Sequence, residues 1–267
     1  MEAADSERSL RGRIQLSPVE VPKASAVLAA ELRERILSGE LAEGVSLPAE
    51  RELVKQTQMS RATVREALRI LQVQNLVRVK AGRSGGAFVQ RPTTRSTAQS
   101  VTTMIRGRRI KLVDLMETRE ALEPFCAELA ARNRSEEDLL ELDRANRALA
   151  EPDADLEAFL RANLNWHVGV AAASHNDLLT AFITALSEAI YMTTRNDAFV
   201  SAEVRDLAIS AHVGITEAIR RADAGLAGKR MRRHVHSYAD AVVAFDAHEA
   251  VVVVDAVTAL HNPSAPE

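Results

Sequence analysis

The sequence predicts a mainly α protein, with an N-terminal winged helix-turn-helix followed by a C-terminal all-α helical bundle. Three observations lead there. Aromatic residues are 3% of the 267 while Ala and Leu abound, which favours helices packed through aliphatic side chains over sheets. Apolar residues recur at helical spacing through residues 24–74 and then give way to two short β segments around a Gly-rich turn. From residue 98 to about 248 the pattern is helical again.

Taken in order, residues 1–22 are polar, contain Pro18 and Pro22, and read as a flexible arm. Val27, Leu28, Leu32 and Ile36 mark a helix over 24–37, with Gly39 and Gly44 bracketing its end. Leu47-Pro48 leads into a short helix over 49–57 that turns Leu53 and Val54 inward. Ser60 is an N-cap for a helix over 61–74, in which Val64, Ala67, Leu68 and Leu71 form one buried stripe. Its other face shows Arg61, Ala62, Arg65 and Arg69. Leu76, Val77 and Val79, then Ala87, Phe88 and Val89, flank the turn and make a hairpin. These elements define a domain over 23–90.

The Pro/Thr/Ser-rich stretch 91–97 reads as a linker, 98–248 as an all-helical second domain, and 249–267 as a tail. Helices are expected over 98–105, 112–133, 136–150, 153–173, 177–195, 202–223 and 227–248. Ser135 and Asp138 form an acidic variant of the capping box. The run Val251 to Val254 fits a strand, a helix or a packed tail equally.

Charge is unevenly spread. Residues 1–111 carry 20 Lys+Arg against 11 Asp+Glu, a net of +9, and the remainder carries 14 against 26. A basic front on an acidic back fits a nucleic-acid reader joined to a domain that avoids DNA, although solvated helix faces also collect Lys and Arg. The single cysteine, Cys126, excludes an intramolecular disulfide and sits in an apolar stretch as a buried small hydrophobe. No signal-peptide pattern and no run of about 18 apolar residues is present, so a cytoplasmic protein with no membrane partner is expected.

The helix capped by Ser60 has the chemistry to read DNA. Its amide end favours phosphate and its first turn can point at base edges. Arg61 and Arg65 share a face, with Thr63 between them; Arg donates a bidentate pair to guanine, and Thr serves phosphate or a thymine methyl. Arg51 is placed for backbone phosphate, and Gly82, Gly85 and Gly86 permit a tight wing tip from which Arg83 reaches a groove. The wording of three segments, LPAEREL over 47–53, SRATVREAL over 60–68 and GGAFV over 85–89, closely resembles the GntR family of bacterial transcription regulators. That resemblance implies operator contacts by Arg51, Arg61, Thr63 and Arg65, with the wing in the adjacent minor groove.

In the second domain Asn163 and His167 share a helix face, while His212 and His234 lie on later helices. Three imidazoles suit a divalent ion, but His175, His248 and His261 show that the chain scatters histidines elsewhere. His236 is two residues from His234, so only one of them can face such a site. The segments VDLMETREALEP over 113–124, NLNWH over 163–167, and those around His212 and His234 resemble the FadR-type sensor, the FCD domain.

The resemblance implies a metal site of Asn163, His167, His212 and His234, holding zinc or nickel, with an amide where other members carry Asp. It also implies an inward-facing Arg119 that pairs with a small carboxylate effector completing the metal's coordination. The alternative for Arg119 is a surface salt bridge with Glu123 at i+4.

A ligand-responsive repressor, homodimeric on a palindromic operator, is the expectation. A metal-free sensor of fatty-acid or acyl ligands is the second reading, and a metal-dependent hydrolase the third. The chain has no HExxH, no nucleophile elbow and no phosphate loop ahead of a helix, which argues against an enzyme.

Overall fold

The computed structural model describes residues 21–82, 85–193 and 200–246, with side chains as far as Ala239. The arm over 1–22, apart from Val21 and Pro22, and the tail over 249–267 therefore lie outside the described residues. The chain divides into two compact units, Met1–Pro92 and Thr93–Glu267.

In the first unit, α1 (Ala24–Leu37), α2 (Glu50–Thr57) and α3 (Arg61–Val73) precede the antiparallel strands β1 (Val77–Lys80) and β2 (Gly86–Val89). Each break has a local cause. Gly39, at φ +86°, and Gln58, in the left-handed region, end α1 and α2, and Ser60 starts α3 as its N-cap. Val77 pairs with Val89 and Lys80 with Gly86, so the two inward valines close the bottom of the sheet. The segment before α2 adds a rail that periodicity had not suggested: Leu47 donates to the Ala87 carbonyl (2.8 Å) and Gly44 to that of Val89 (2.9 Å). Leu28, Leu32, Ile36, Leu53, Val64, Leu68 and Leu71 fill the core beneath.

Among the described residues the elements of the second unit are all helices: α4 (Thr94–Arg108), α5 (Leu112–Asn133), α6 (Glu136–Leu149), α7 (Leu156–Ala173), α8 (Asp177–Thr193), α9 (Ala202–Arg220) and α10 (Ala224–Asp246). Helix α5 packs on α10, α7, α8 and α9, and so lies at the centre. The expected linker is partly helix. Thr93 and Ser96 form a reciprocal capping box that starts α4 at Thr94, so a Thr/Ser-rich composition read as unstructured is in fact an N-terminal cap. The Ser135–Asp138 box starts α6 as expected, and Cys126 is buried with its thiol pushed up to about 12 by burial.

Trp166, the sole tryptophan, is wholly buried on α7. Its indole N–H donates to Thr216 Oγ1 on α9 (3.1 Å), and the same oxygen accepts from Asn146 Nδ2 on α6 (3.0 Å). One hydroxyl thus ties three helices. Replacing it in Thr216→Val keeps the shape but leaves the buried Trp166 donor and the half-buried Asn146 donor unpaired, and should destabilise this unit by about 1–3 kcal/mol. Urea unfolding followed by Trp166 fluorescence checks this, and an unchanged midpoint would show that the bond contributes nothing.

Candidate functional site

Two sets of side chains stand out, one in each unit. In the first, Ser60 Oγ accepts from the Thr63 N–H (3.1 Å) and lies 2.8 Å from the Thr63 hydroxyl. Thr63 is accordingly half-buried and part of the cap, while Arg61 and Arg65 stay exposed on the outer face of α3. Arg65 Nε donates to Glu50 Oε2 on α2 (2.8 Å), with both side chains well exposed. Such a pair is screened and nearly neutral in energy, so Arg65 can leave it at small cost. Arg51 is exposed, and neither it nor Arg61 makes an ion pair among the described residues. Gly85 has a backbone role: a Cβ there would lie 2.3 Å from the Lys80 carbonyl oxygen, and its N–H closes the turn on the Gly82 carbonyl (2.9 Å). Arg83 lies outside the described residues.

In the second unit, α7, α9 and α10 each deliver one imidazole to a single point. His212 Nε2 lies 3.0 Å from His234 Nε2, which lies 3.4 Å from His167 Nε2. Ligand atoms of all three fall within 4.8 Å of one another. Nitrogens about 2.0–2.1 Å from a common ion are roughly 2.9–3.4 Å apart at coordination angles near 90–110°, so the two measured separations fit a shared divalent cation. His212 is held flat on the Trp166 ring (centroids 3.7 Å apart, 6° between planes), and its ring is turned edge-on to that of His234.

Behind His167 stands a group that the sequence reading placed only as a surface partner. His167 Nδ1 donates to Glu123 Oε2 (2.7 Å), and the other oxygen of Glu123 accepts from Arg119 Nε. Both are buried, at 4% exposure for Arg119 and 1% for Glu123. Arg119 is therefore inward-facing, and its i+4 pair with Glu123 forms in the interior rather than on the surface, where the sequence placed it. Its Nη2 also lies 3.0 Å from His167 Nε2.

Burial alone would raise the Glu123 carboxyl, but the Arg119 guanidinium and the His167 ring hold it well below the usual carboxylate range. Burial lowers all three histidines: His167 against the pull of Glu123, His212 well below its ordinary value with neighbouring imidazoles adding to it, and His234 to about 3. Three neutral imidazoles, one with its Nδ1 proton fixed by a carboxylate, are the protonation state that an ion requires of its ligands.

Asn163 sits one turn before His167, half-buried, and lines a cavity together with Arg119, His167, Ser187, Tyr191 and Tyr238. The cavity is small and partly open to solvent. His236 points away to Glu120 (2.8 Å), and His175 is exposed against Asp138 (2.9 Å). The structure thus brings Arg119, Asn163, His167, His212 and His234 to one region and adds Glu123, Trp166 and Ser187. The i,i+4 spacing from Arg119 was the one signal that pointed to Glu123.

Comparison with known proteins agrees with both halves. The family described as bacterial regulatory proteins, gntR family, matches residues 24–89, and the FCD domain matches 114–237. The chain is 31% identical over 160 residues to the HTH-type transcriptional regulator LutR of Bacillus subtilis, spanning 60% of this chain and 72% of that one. It is 26% identical over 242 residues to the HTH-type transcriptional repressor NanR of Cronobacter sakazakii, spanning 88% and 92%. The solved structure of Streptococcus agalactiae GntR superposes with a TM-score of 0.61 at 25% identity, covering 81% of this chain and 99% of that one.

The histidine trio gives stability a pH dependence of known sign in chelator-treated protein. Its members stay neutral when folded but take up protons below about 6.5 when unfolded, so stability falls as pH drops below that value. Glu123, lowered when folded, stabilises above 4.5 and adds its loss only below that value. Between pH 6.5 and 5 the slope should approach about 1.4 kcal/mol per pH unit for each of His212 and His234. His234→Gln should flatten it by one such share; an unaltered slope in urea titrations would contradict the enclosure of that ring.

Proposed function

The chain belongs to the gntR family of bacterial regulatory proteins, with an FCD domain behind its DNA-binding module, and we propose that it is a repressor released from its operator by a small carboxylate bound beside a divalent metal. The observation that carries this reading is the meeting of three neutral imidazoles at the edge of a polar cavity. A divalent ion such as zinc or nickel, held by His167, His212 and His234 with the Asn163 amide nearby, offers open coordination positions to a carboxylate. Glu123 fixes the His167 ring and Arg119 balances the Glu123 charge, while Nη1 of Arg119 remains for the ligand. Four different helices carry these groups, so a ligand that draws them together biases the arrangement of the whole bundle. The family is one of DNA-binding regulators rather than enzymes.

In the first unit the outer face of α3 supplies base contacts from Arg61 and Arg65, with the Ser60 and Thr63 cap at the helix end, Arg51 on phosphate and the wing of Arg83 and Gly85 in the minor groove. Two such heads on a homodimer match a palindromic operator. Among the described residues no helix is long and apolar enough to cross a membrane.

The decisive experiment selects an operator from random duplex, then measures its release by a panel of short carboxylates with and without zinc or nickel. Release that ignores the acid, or ignores a chelator, would defeat the ligand and metal parts respectively. Arg65→Ala should weaken operator binding by about 1–3 kcal/mol and relax one base position, whereas Arg51→Ala should weaken all duplexes alike and reduce the salt slope by about 0.9. Anisotropy titrations on operator variants distinguish the two, and full discrimination in Arg65→Ala would remove α3 as the reader. Because His212 lies on Trp166, zinc should change tryptophan emission, and at a hundredfold excess over Kd should stabilise the protein by about 2.7 kcal/mol. His167→Ala, which leaves the stack in place, should abolish both effects; retention of either would show that the ion binds elsewhere.

A further inference from the structure

We infer that Arg69, held in place by Glu66, is a further reader of base sequence on α3, and that its free edge recognises a guanine. This deepens the reading of α3 as the operator contact and rests on it. Glu66 is the only acidic residue of the helix. On a surface that must approach phosphates a carboxylate weakens binding to every duplex alike, so its presence there calls for a compensating task.

Helix geometry fixes where the pair stands. At about 100° per residue, the direction opposite the buried stripe of Val64, Ala67, Leu68 and Leu71 falls among Ala62, Glu66 and Arg69. Arg61 and Arg65 lie to one side of that line. Arg69 is therefore nearer the middle of the outer face than either, and its side chain is exposed.

Glu66 grips the guanidinium along one edge: Nε donates to Oε2 (2.9 Å) and Nη2 to Oε1 (2.8 Å). The same bonds hold the Glu66 carboxyl below its usual range, so it stays ionised. Two parallel bonds fix the plane of a side chain that otherwise samples many rotamers. The remaining edge, formed by Nη1 and the second proton of Nη2, has no partner among the described residues. It is a fork of two donors, the shape that matches O6 and N7 of guanine in the major groove. Because the charges of the pair cancel, it adds little to phosphate attraction; its yield is selectivity.

The test takes an operator selected from random duplex by the full-length protein and scans it base pair by base pair in anisotropy titrations. Arg69→Ala should lose at least about fivefold of discrimination at one G·C pair, distinct from the pair relaxed in Arg65→Ala. Placing 7-deazaguanine there removes the N7 acceptor, and should weaken the parent but not Arg69→Ala. Glu66→Ala should relax the same pair, yet bind all duplexes more tightly and steepen the salt slope by about 0.9, which loss of a merely structural pair would not do. Uniform weakening in Arg69→Ala, or unchanged base preferences there while Arg65→Ala alters them, overturns the inference and leaves α3 as the reader. Full discrimination in Glu66→Ala removes the holding role of Glu66 and overturns it as well. If neither arginine variant alters any preference, or no duplex is preferred, the reading of α3 itself fails and this inference falls with it.

Discussion

Glu123 is an ionised carboxylate enclosed among helices, and the second unit is organised around keeping it charged. Removing a carboxylate from water costs several kcal/mol, so it must be met on every side by donors. Arg119, one turn earlier on the same helix, meets one oxygen, and His167, reaching over from α7, meets the other. The arrangement fixes the tautomer and the aim of the His167 ring: with its Nδ1 proton committed to Glu123, Nε2 is left facing His234. Without that carboxylate the His167 ring would lose the contact that fixes it, while His212 would keep its place against Trp166.

The same unit spends polar atoms sparingly and in places where several helices meet. Thr216 joins α6, α7 and α9 through one oxygen, and Trp166 lays a flat wall against His212. The reading head of the first unit is built in the opposite way. Arg61 and Arg65 are exposed, the Arg65–Glu50 pair is screened, and the cap at Ser60 is fixed. The enclosed groups of the second unit keep a fixed geometry, whereas loose surface cations suit contacts that re-form on a wet, charged surface.

Much of this was legible in the residues. The apolar stripe of α3, the Ser60 cap, the hairpin around the glycines and the limits of α5 follow from local pattern, because each is set by contacts within a few residues. Arg119 and the histidines were placed by resemblance, since spacing alone brings only Asn163 and His167 together. Three features escaped. The 44–47 rail against β2 is a pairing of distant backbone and has no period of its own. Glu123 looks like any i+4 partner until tertiary packing encloses it. Ser187 is an ordinary helical serine in sequence, and only tertiary packing places it in the wall of the cavity beside His167.

Gly85 carries a consequence for how such a protein diversifies. Any side chain at that position collides with backbone oxygens of Lys80 and Gly82, atoms that no rotamer change can move aside. Adaptation to a new target sequence is therefore not open to this residue, and the closure of the wing depends on its staying glycine. Lineages that acquire new binding sites must vary the outer face of α3 or the wing residues beside the glycine, keeping one hairpin as a constant frame while the letters it presents are rewritten.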